Sequence, residues 1–136
     1  MPARFPDWQK RLQIYLASIT HKPLMYGHHD CALFAADAVQ AMTGLDLAEA
    51  YRGQYSTIAE GLHLLAADGY EDHVALARAH FISAPIVAAM PGDLAVFETQ
   101  AGRALGVVQG AAVYVLHADG ILGLVALTEA VEVFTV

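Results

Sequence analysis

The sequence predicts an α+β fold in which N-terminal helices pack on a C-terminal antiparallel meander sheet. Up to about residue 82, apolar residues recur at helical spacing between helix-capping residues, which is typical of amphipathic helices. From about residue 92, short apolar runs alternate with turn residues, which is typical of successive strands. We therefore expect one domain over residues 1–136, with a helical half at about 1–82 and a sheet half at about 92–136.

The first two predicted helices carry the clearest signals. One begins after Pro6-Asp7 and ends before Pro23, because proline disfavours helical backbone in the residue ahead of it. Its apolar stripe consists of Trp8, Leu12, Tyr15, Leu16 and Ile19. The other follows the N-cap Asp30 and ends at Thr43-Gly44. Since this second helix is apolar nearly all round, it must be buried in the core.

Three further helices are predicted before residue 82. A short one covers about 46–51, closed by Arg52-Gly53, and the next opens with a capping box at 57–60 and ends at Asp68-Gly69. The apolar face of the helix that this capping box opens is formed by Ile58, Leu62 and Leu65. The last helix runs from about Glu71 to His80. Its apolar face is formed by Val74, Ala77 and Phe81.

Five strands are predicted in the second half, where Pro85 and Pro91 exclude a long helix. The apolar runs that we assign to strands are 94–98, 104–108, 112–117, 121–127 and 131–136. Glycine-containing dipeptides at 101–102, 109–110 and 119–120 supply the turns between them. Asp93 precedes the first run, and we expect it to fix a turn rather than to titrate in a mechanism.

Composition and charge exclude several classes of protein. The net charge of −7 disfavours nucleic-acid backbones and anionic membranes as partners. No stretch approaches the roughly 20 apolar residues that span a bilayer, and residues 1–8 lack the apolar region of a signal peptide. We therefore expect the chain to be made in a cytoplasm. Its single cysteine leaves no internal disulfide for the fold to depend on.

Cys31 is the first candidate functional residue, because it occupies the first position of the buried helix that Asp30 caps. The partial positive charge at a helix N-terminus favours thiolate over thiol, which is how a nucleophilic cysteine is built. The alternative is that Cys31 is a small core residue without chemistry. Asp30 is a cap first, and whether it also takes part in chemistry stays open.

Histidines supply the candidate bases, since a cysteine nucleophile needs a group that takes its proton. His117 is the only histidine in the strand half and ends the third predicted strand, so it is the natural candidate to approach Cys31. His28, His29 and Cys31 are an acceptable mixture of zinc ligands. Their spacing is poor and no second pair matches it, so we expect neither a metal nor another cofactor. We interpret His73 and His80 as solvated surface residues.

Two stretches resemble a known family. Tyr26-Gly27 ahead of Asp30-Cys31, and Pro91-Gly92-Asp93-Leu94 ahead of the sheet, are similar to the NlpC-type papain-like endopeptidases that cut peptidoglycan stem peptides. The resemblance covers roughly residues 24–127. The longer pattern over 27–43, followed by Asp46 and Arg52-Gly53, is similar to a branch of that family found among phage and prophage tail genes.

The resemblance implies roles for individual residues. Cys31 falls on the nucleophile, and Tyr26 falls on a tyrosine that helps to stabilise the oxyanion. Leu116-His117 falls on the position that orients the base. The base position itself falls on Ala104, and Ala32-Leu33 stands where the family usually has Ser-Gly. An alanine methyl accepts no proton, so the base is missing from its usual place.

Two hypotheses follow from this departure. In the first, the chain is a papain-like cysteine peptidase or amidase that acts on a peptidoglycan stem peptide, with His117, His28 or His29 as a relocated base. In the second, it is a catalytically inactive structural or interaction component of a phage tail tip or hub, and its partners are other phage tail proteins. Either way we expect synthesis in a bacterial cytoplasm, and a place in the virion tail if the chain is assembled into a phage particle.

Overall fold

A computed structural model describes residues 3–136, so Met1 and Pro2 of the predicted domain lie outside the described residues. Within that range the helices are α1 (Trp8–Ile19), α2 (Cys31–Thr43), α3 (Ile58–Ala67) and α4 (His73–His80). The strands are β1 (Ile82–Ala84), β2 (Leu94–Thr99), β3 (Gly102–Val108), β4 (Ala112–Leu116), β5 (Leu122–Ala126) and β6 (Glu132–Thr135). Helices thus precede the sheet, and the predicted α+β arrangement is confirmed.

Local capping explains where the helices begin and end. Asp30 accepts a hydrogen bond from the backbone N–H of Leu33 at 2.9 Å and so begins α2. Gly44 ends it in the left-handed conformation, with φ +81°, and donates to the carbonyl of Gln40. Thr57 caps α3 by accepting from the N–H of Glu60. These predicted caps are confirmed.

The sheet is entirely antiparallel and its strands lie in the order β1-β6-β2-β3-β4-β5. The four strands from β2 to β5 form the predicted meander. The last strand, β6, does not continue that meander but returns to pair with β2, and the short β1 pairs with β6. Because β1 belongs to it, the sheet starts at residue 82 and not at the predicted boundary of about 92.

Two apolar clusters cover the two faces of this sheet. The helix-side cluster joins buried residues of α1, α2 and α4 to the sheet residues Leu94, Val96, Leu105, Val107, Leu116 and Phe134. The far-side cluster is built on Ala95, Phe97, Val108, Val113, Ala130 and Val133, with Val115 packed against it. The far side is covered by the segments around the 3₁₀ turns Ile86–Ala88 and Leu127–Glu129. The helices therefore lie on one face of the sheet.

One expectation about the helical half was wrong. Residues 47–53 form a series of turns and not a helix, because the Asp46 carboxylate binds the N–H of Ala48 at 3.0 Å and the Arg52 guanidinium at 2.9 Å. An aspartate that binds the backbone two residues ahead favours a turn over a helix. The apolar face of α3 is only partly buried: Leu65 is 9% exposed, whereas Ile58 and Leu62 are 57% and 43% exposed.

The other predicted helices are present, although α4 begins at His73 rather than at about Glu71 and ends before Phe81. Leu12, Leu16 and Ile19 of α1 are buried, as are Val74 and Ala77 of α4. No helix within residues 3–136 is both long enough and apolar enough to cross a membrane.

Asp93 joins the two ends of the described chain. Its Oδ1 accepts from the guanidinium of Arg4 and from the N–H of Val136, both at 3.1 Å. Its Oδ2 accepts from the N–H of Met90 at 2.9 Å, which fixes the turn before β2. The residue is 2% exposed, and a buried carboxylate is tolerated only when donors surround it.

Replacing Asp93 by alanine therefore leaves two backbone N–H groups and the Nη2 of the partly buried Arg4 guanidinium without their acceptor. We expect Asp93→Ala to lower the free energy of unfolding by about 3 kcal/mol, the scale on which breaking a buried ion pair acts. Urea unfolding followed by circular dichroism measures the change.

Arg11→Ala is the matched control, because Arg11 pairs with Asp7 on the exposed surface of α1. We expect a much smaller change for this variant. Equal losses for the two variants would contradict the role assigned to Asp93.

Candidate functional site

The loop ahead of Cys31 is held by the carboxylate of Asp30. Its Oδ2 accepts from the N–H of Gly27 at 3.0 Å and from the hydroxyl of Tyr55 at 2.5 Å, while its Oδ1 caps α2. Gly27 has φ +87°, and a Cβ there would lie 2.1 Å from the carbonyl oxygen of Tyr55. Only glycine fits such a position. The sequence Tyr-Gly ahead of Asp-Cys therefore has a structural reason.

Cys31 stands at the first position of α2 and is partly exposed. Its Sγ donates to the carbonyl of Leu116 at 3.7 Å. Burial raises the pKa of the thiol, and the negative charge of Asp30 beside it raises that pKa further. The expectation that the helix N-terminus alone favours thiolate is therefore corrected, because these two effects act against it.

Cys31 borders a pocket of about 420 Å³. The pocket lies between the first turns of α2 and α4, the side of α3 and the β2–β3 hairpin. The exposed apolar residues of α3, Ile58 and Leu62, form one of its walls, which accounts for an apolar helix face that the core does not cover. Polar groups on the lining include Tyr26, Tyr55 and Asp30. Mostly apolar walls with a few polar groups are typical of ligand sites.

The predicted accessory residues fall into two groups. Tyr26 and Asp30 share the pocket with Cys31, whereas His28 and His29 do not line it. His28 is exposed. His29 is 0% exposed, and neither ring nitrogen has a hydrogen-bond partner within the described chain. Neither loop histidine is therefore placed to act on a ligand in this pocket.

His117 lies on the wrong face of the sheet to serve as the base. Gly123 pairs with Val115, whose side chain packs on the far-side cluster. The His117 ring covers Gly123, since a Cβ built there would lie 2.4 Å from its Nε2. Leu116, one residue earlier, points to the helix side. Because side chains alternate along a strand, the carbonyl of Leu116 reaches Cys31 while the imidazole of His117 faces away.

The register of the strands also decides on which face of the sheet Ala104 lies. This residue pairs with Phe97 of the far-side cluster, and residues paired across two strands share a face. Its methyl therefore points away from α2, although the residue borders the pocket. Arg103, one residue earlier, lies on the helix side of the sheet. Its guanidinium binds both carboxylate oxygens of Asp72 at 2.7 and 2.9 Å.

The histidine that does line the pocket is His73. It is the first residue of α4, which Asp72 caps, and its Nε2 is buried without a partner within residues 3–136. The expectation of a solvated surface histidine was wrong. One signal in the sequence points to it: Asp72-His73 opens α4 in the same way that Asp30-Cys31 opens α2.

No site for a metal is evident in the described part of the chain. Among residues 3–136, no three His, Cys, Asp or Glu side chains cluster at a distance suited to a common ion. His28, His29 and Cys31 therefore do not converge on one point.

The fold and the site define a class: an α+β protein with a cysteine at the mouth of a buried helix, opening into a mostly apolar pocket beside the sheet. The chain belongs to the family described as a domain of unknown function, DUF6950, whose model matches residues 3–136. No curated protein matches the sequence.

The burial of His29 generates a prediction about stability and pH. Burial lowers the pKa of this imidazole from 6.5, and the positive charge of Lys22 adds to the effect. As the pH falls below about 6.5, the unfolded chain binds a proton at His29 and the folded chain does not. Stability is therefore lost as the pH falls from there toward the folded pKa.

His29→Leu removes this titration and replaces two unpartnered ring nitrogens with an apolar side chain of similar size. We expect the variant to gain stability relative to the wild type between pH 7.5 and pH 5. Thermal unfolding at both pH values measures the difference. A constant offset between the two proteins at all pH values would contradict the assignment.

Proposed function

We propose that this chain is an NlpC-like, papain-type cysteine hydrolase that acts on a peptide-type amide with Cys31 as the nucleophile. One observation carries the proposal: Cys31 is partly exposed at the N-terminus of a buried helix and borders a pocket of about 420 Å³. The resemblance of Tyr26-Gly27, Asp30-Cys31 and Pro91-Gly92-Asp93-Leu94 to the NlpC-type endopeptidases supports it. That resemblance supports a peptidoglycan stem peptide as the substrate class. The longer pattern over 27–43, with Asp46 and Arg52-Gly53, supports a phage or prophage tail as the setting.

The chemistry would take two steps. The Cys31 sulfur bonds to the carbonyl carbon of the amide as its proton leaves, and the amine departs as the C–N bond breaks. Water then hydrolyses the thioester and releases the acid. The oxyanion formed in each step would be stabilised by the hydroxyl of Tyr26 and by free backbone N–H groups in the first turn of α2.

The pocket favours an apolar group next to the bond that is cut. Ile58 and Leu62 lie on one wall and Leu105 on another, so a small aliphatic side chain would bury its surface there. Acidic residues at the rim include Glu71 and Asp72, of which Asp72 is paired with Arg103. This pattern supports a substrate with an aliphatic residue at the reacting centre.

A second candidate function is a catalytically inactive interaction component that retains this fold in a phage tail. Specific observations favour it: the raised pKa of the Cys31 thiol, its hydrogen bond to the carbonyl of Leu116, and the positions of Ala104 and His117. In that case the pocket would hold a side chain of another tail protein and Cys31 would be part of its wall.

Two measurements on the same protein separate the candidates. Because Cys31 is the single cysteine, mass spectrometry after brief exposure to a thiol-directed electrophile at pH 7 reports its reactivity directly. Release of soluble fragments from purified peptidoglycan reports hydrolysis. For the hydrolase we expect Cys31 to be labelled and fragments to be released, and we expect Cys31→Ala to abolish release.

Cys31→Ser is the matched control. Serine is close to cysteine in size, but its hydroxyl is a weaker nucleophile than the thiol. Wild-type protein that releases no more fragments than Cys31→Ala would contradict the hydrolase. It would leave the inactive tail component as the better proposal.

A further inference from the structure

The histidine on the pocket wall comes from a helix and not from the sheet. Asp72 caps α4 through the N–H of Ala75 at 2.9 Å and also binds Arg103 at the start of β3 through two hydrogen bonds. These contacts attach the N-terminus of α4 to the hairpin that closes one side of the pocket. His73 follows Asp72 directly, so the same contacts hold it at the pocket that Cys31 also lines.

The imidazole of His73 is suited to accept a proton. Its Nε2 is buried and has no hydrogen-bond partner within residues 3–136, and such a group is costly unless something uses it. Burial lowers the pKa of His73, so the ring is neutral at pH 7 and carries a free lone pair. His29 also has unpartnered ring nitrogens, but only His73 lines the pocket that Cys31 borders.

Three charged groups act on this ring. Asp72 and Asp30 favour its protonated form, and Arg103 opposes it. Neither carboxylate is itself free to act as the base: Asp72 is paired with Arg103, and Asp30 is occupied by Tyr55, Gly27 and the cap of α2. The neutral imidazole, by contrast, has a ring nitrogen that no hydrogen bond within residues 3–136 occupies.

We infer that His73 is the general base for Cys31, a role that rests on the proposed hydrolase. As Sγ bonds to the carbonyl carbon of the substrate, the thiol proton passes to Nε2 of His73. The same proton passes from His73 to the nitrogen of the leaving amine as the C–N bond breaks. The base thus comes from the first turn of α4 and not from the strand position at Ala104.

The test is the rate at which iodoacetamide alkylates Cys31 as a function of pH. In the wild type we expect the alkylation rate to rise as the imidazole loses its proton and then to form a plateau at neutral pH. A second rise follows at higher pH, where the thiol itself loses its proton. His73→Gln keeps a side-chain amide but no titrating group. We expect it to remove the plateau and to slow alkylation at pH 7 by about tenfold or more, and to lower fragment release by about 10²–10⁴-fold.

His80→Gln is the matched control, because His80 is an exposed histidine in the last turn of the same helix. We expect it to behave as the wild type, and likewise His117→Gln. A wild-type profile for His73→Gln, or loss of the plateau in His117→Gln, would overturn the inference.

Should His73→Gln be unstable in a thermal melt, NMR on the wild type decides instead. We expect alkylation of Cys31 to shift the pKa of the His73 imidazole, and an unchanged titration would overturn the pairing. These results are separable from the proposed function. A plateau without any fragment release contradicts hydrolysis but keeps the pairing, whereas full fragment release by His73→Gln contradicts the pairing but keeps hydrolysis.

Discussion

The carboxylate of Asp30 is the constraint on which the site depends. It is 3% exposed, and a charge so buried is stable only when donors surround it. The three donors come from different parts of the chain: the first turn of α2, the loop at Gly27 and the hydroxyl of Tyr55, 25 residues away. One side chain therefore holds the helix, the loop and the segment ahead of α3 in a fixed arrangement, with Cys31 directly beside it. The same negative charge raises the pKa of the thiol, so the group that builds the site also makes its thiolate less favourable.

Much of this fold could be predicted from the sequence, because its signals are local. Caps such as Asp30 and Thr57 act within one helical turn, and the apolar runs of the sheet need only their own periodicity. The order of the strands depended on distant contacts, and nothing local indicates that β6 returns to β2. The turns at 47–53 were missed for a different reason, because the Asp46 carboxylate binds the backbone two residues ahead and Arg52 six residues ahead in place of a helix. The apolar face of α3 was visible, but periodicity shows that a face exists and not whether it meets the core or a pocket.

The same division applies to the site. The position of Cys31 follows from Asp30 and the apolar helix behind it, whereas the face of His117 depends on a register that a shift of one residue would reverse. His73 reaches the pocket because Asp72 binds Arg103, a contact between residues 31 positions apart. Histidine is common on exposed helices, so position alone gave no reason to select it. The paired openings Asp30-Cys31 and Asp72-His73 become informative only once the structure places both helix starts on one pocket.

The protonation states of Cys31 and His73 bear on both candidate functions, the hydrolase and the inactive tail component. Burial raises the pKa of the thiol and lowers that of the imidazole, so both groups rest uncharged. An apolar pocket favours this neutral pair over a thiolate and an imidazolium, since separated charges are poorly solvated there. A nucleophile of this kind is weak at rest and gains strength only if the proton moves while the sulfur bonds to the substrate, as in serine hydrolases. Whether the chain is a hydrolase or an inactive relative therefore depends on how well a bound amide brings thiol, carbonyl and imidazole into line, and less on the presence of a thiolate beforehand.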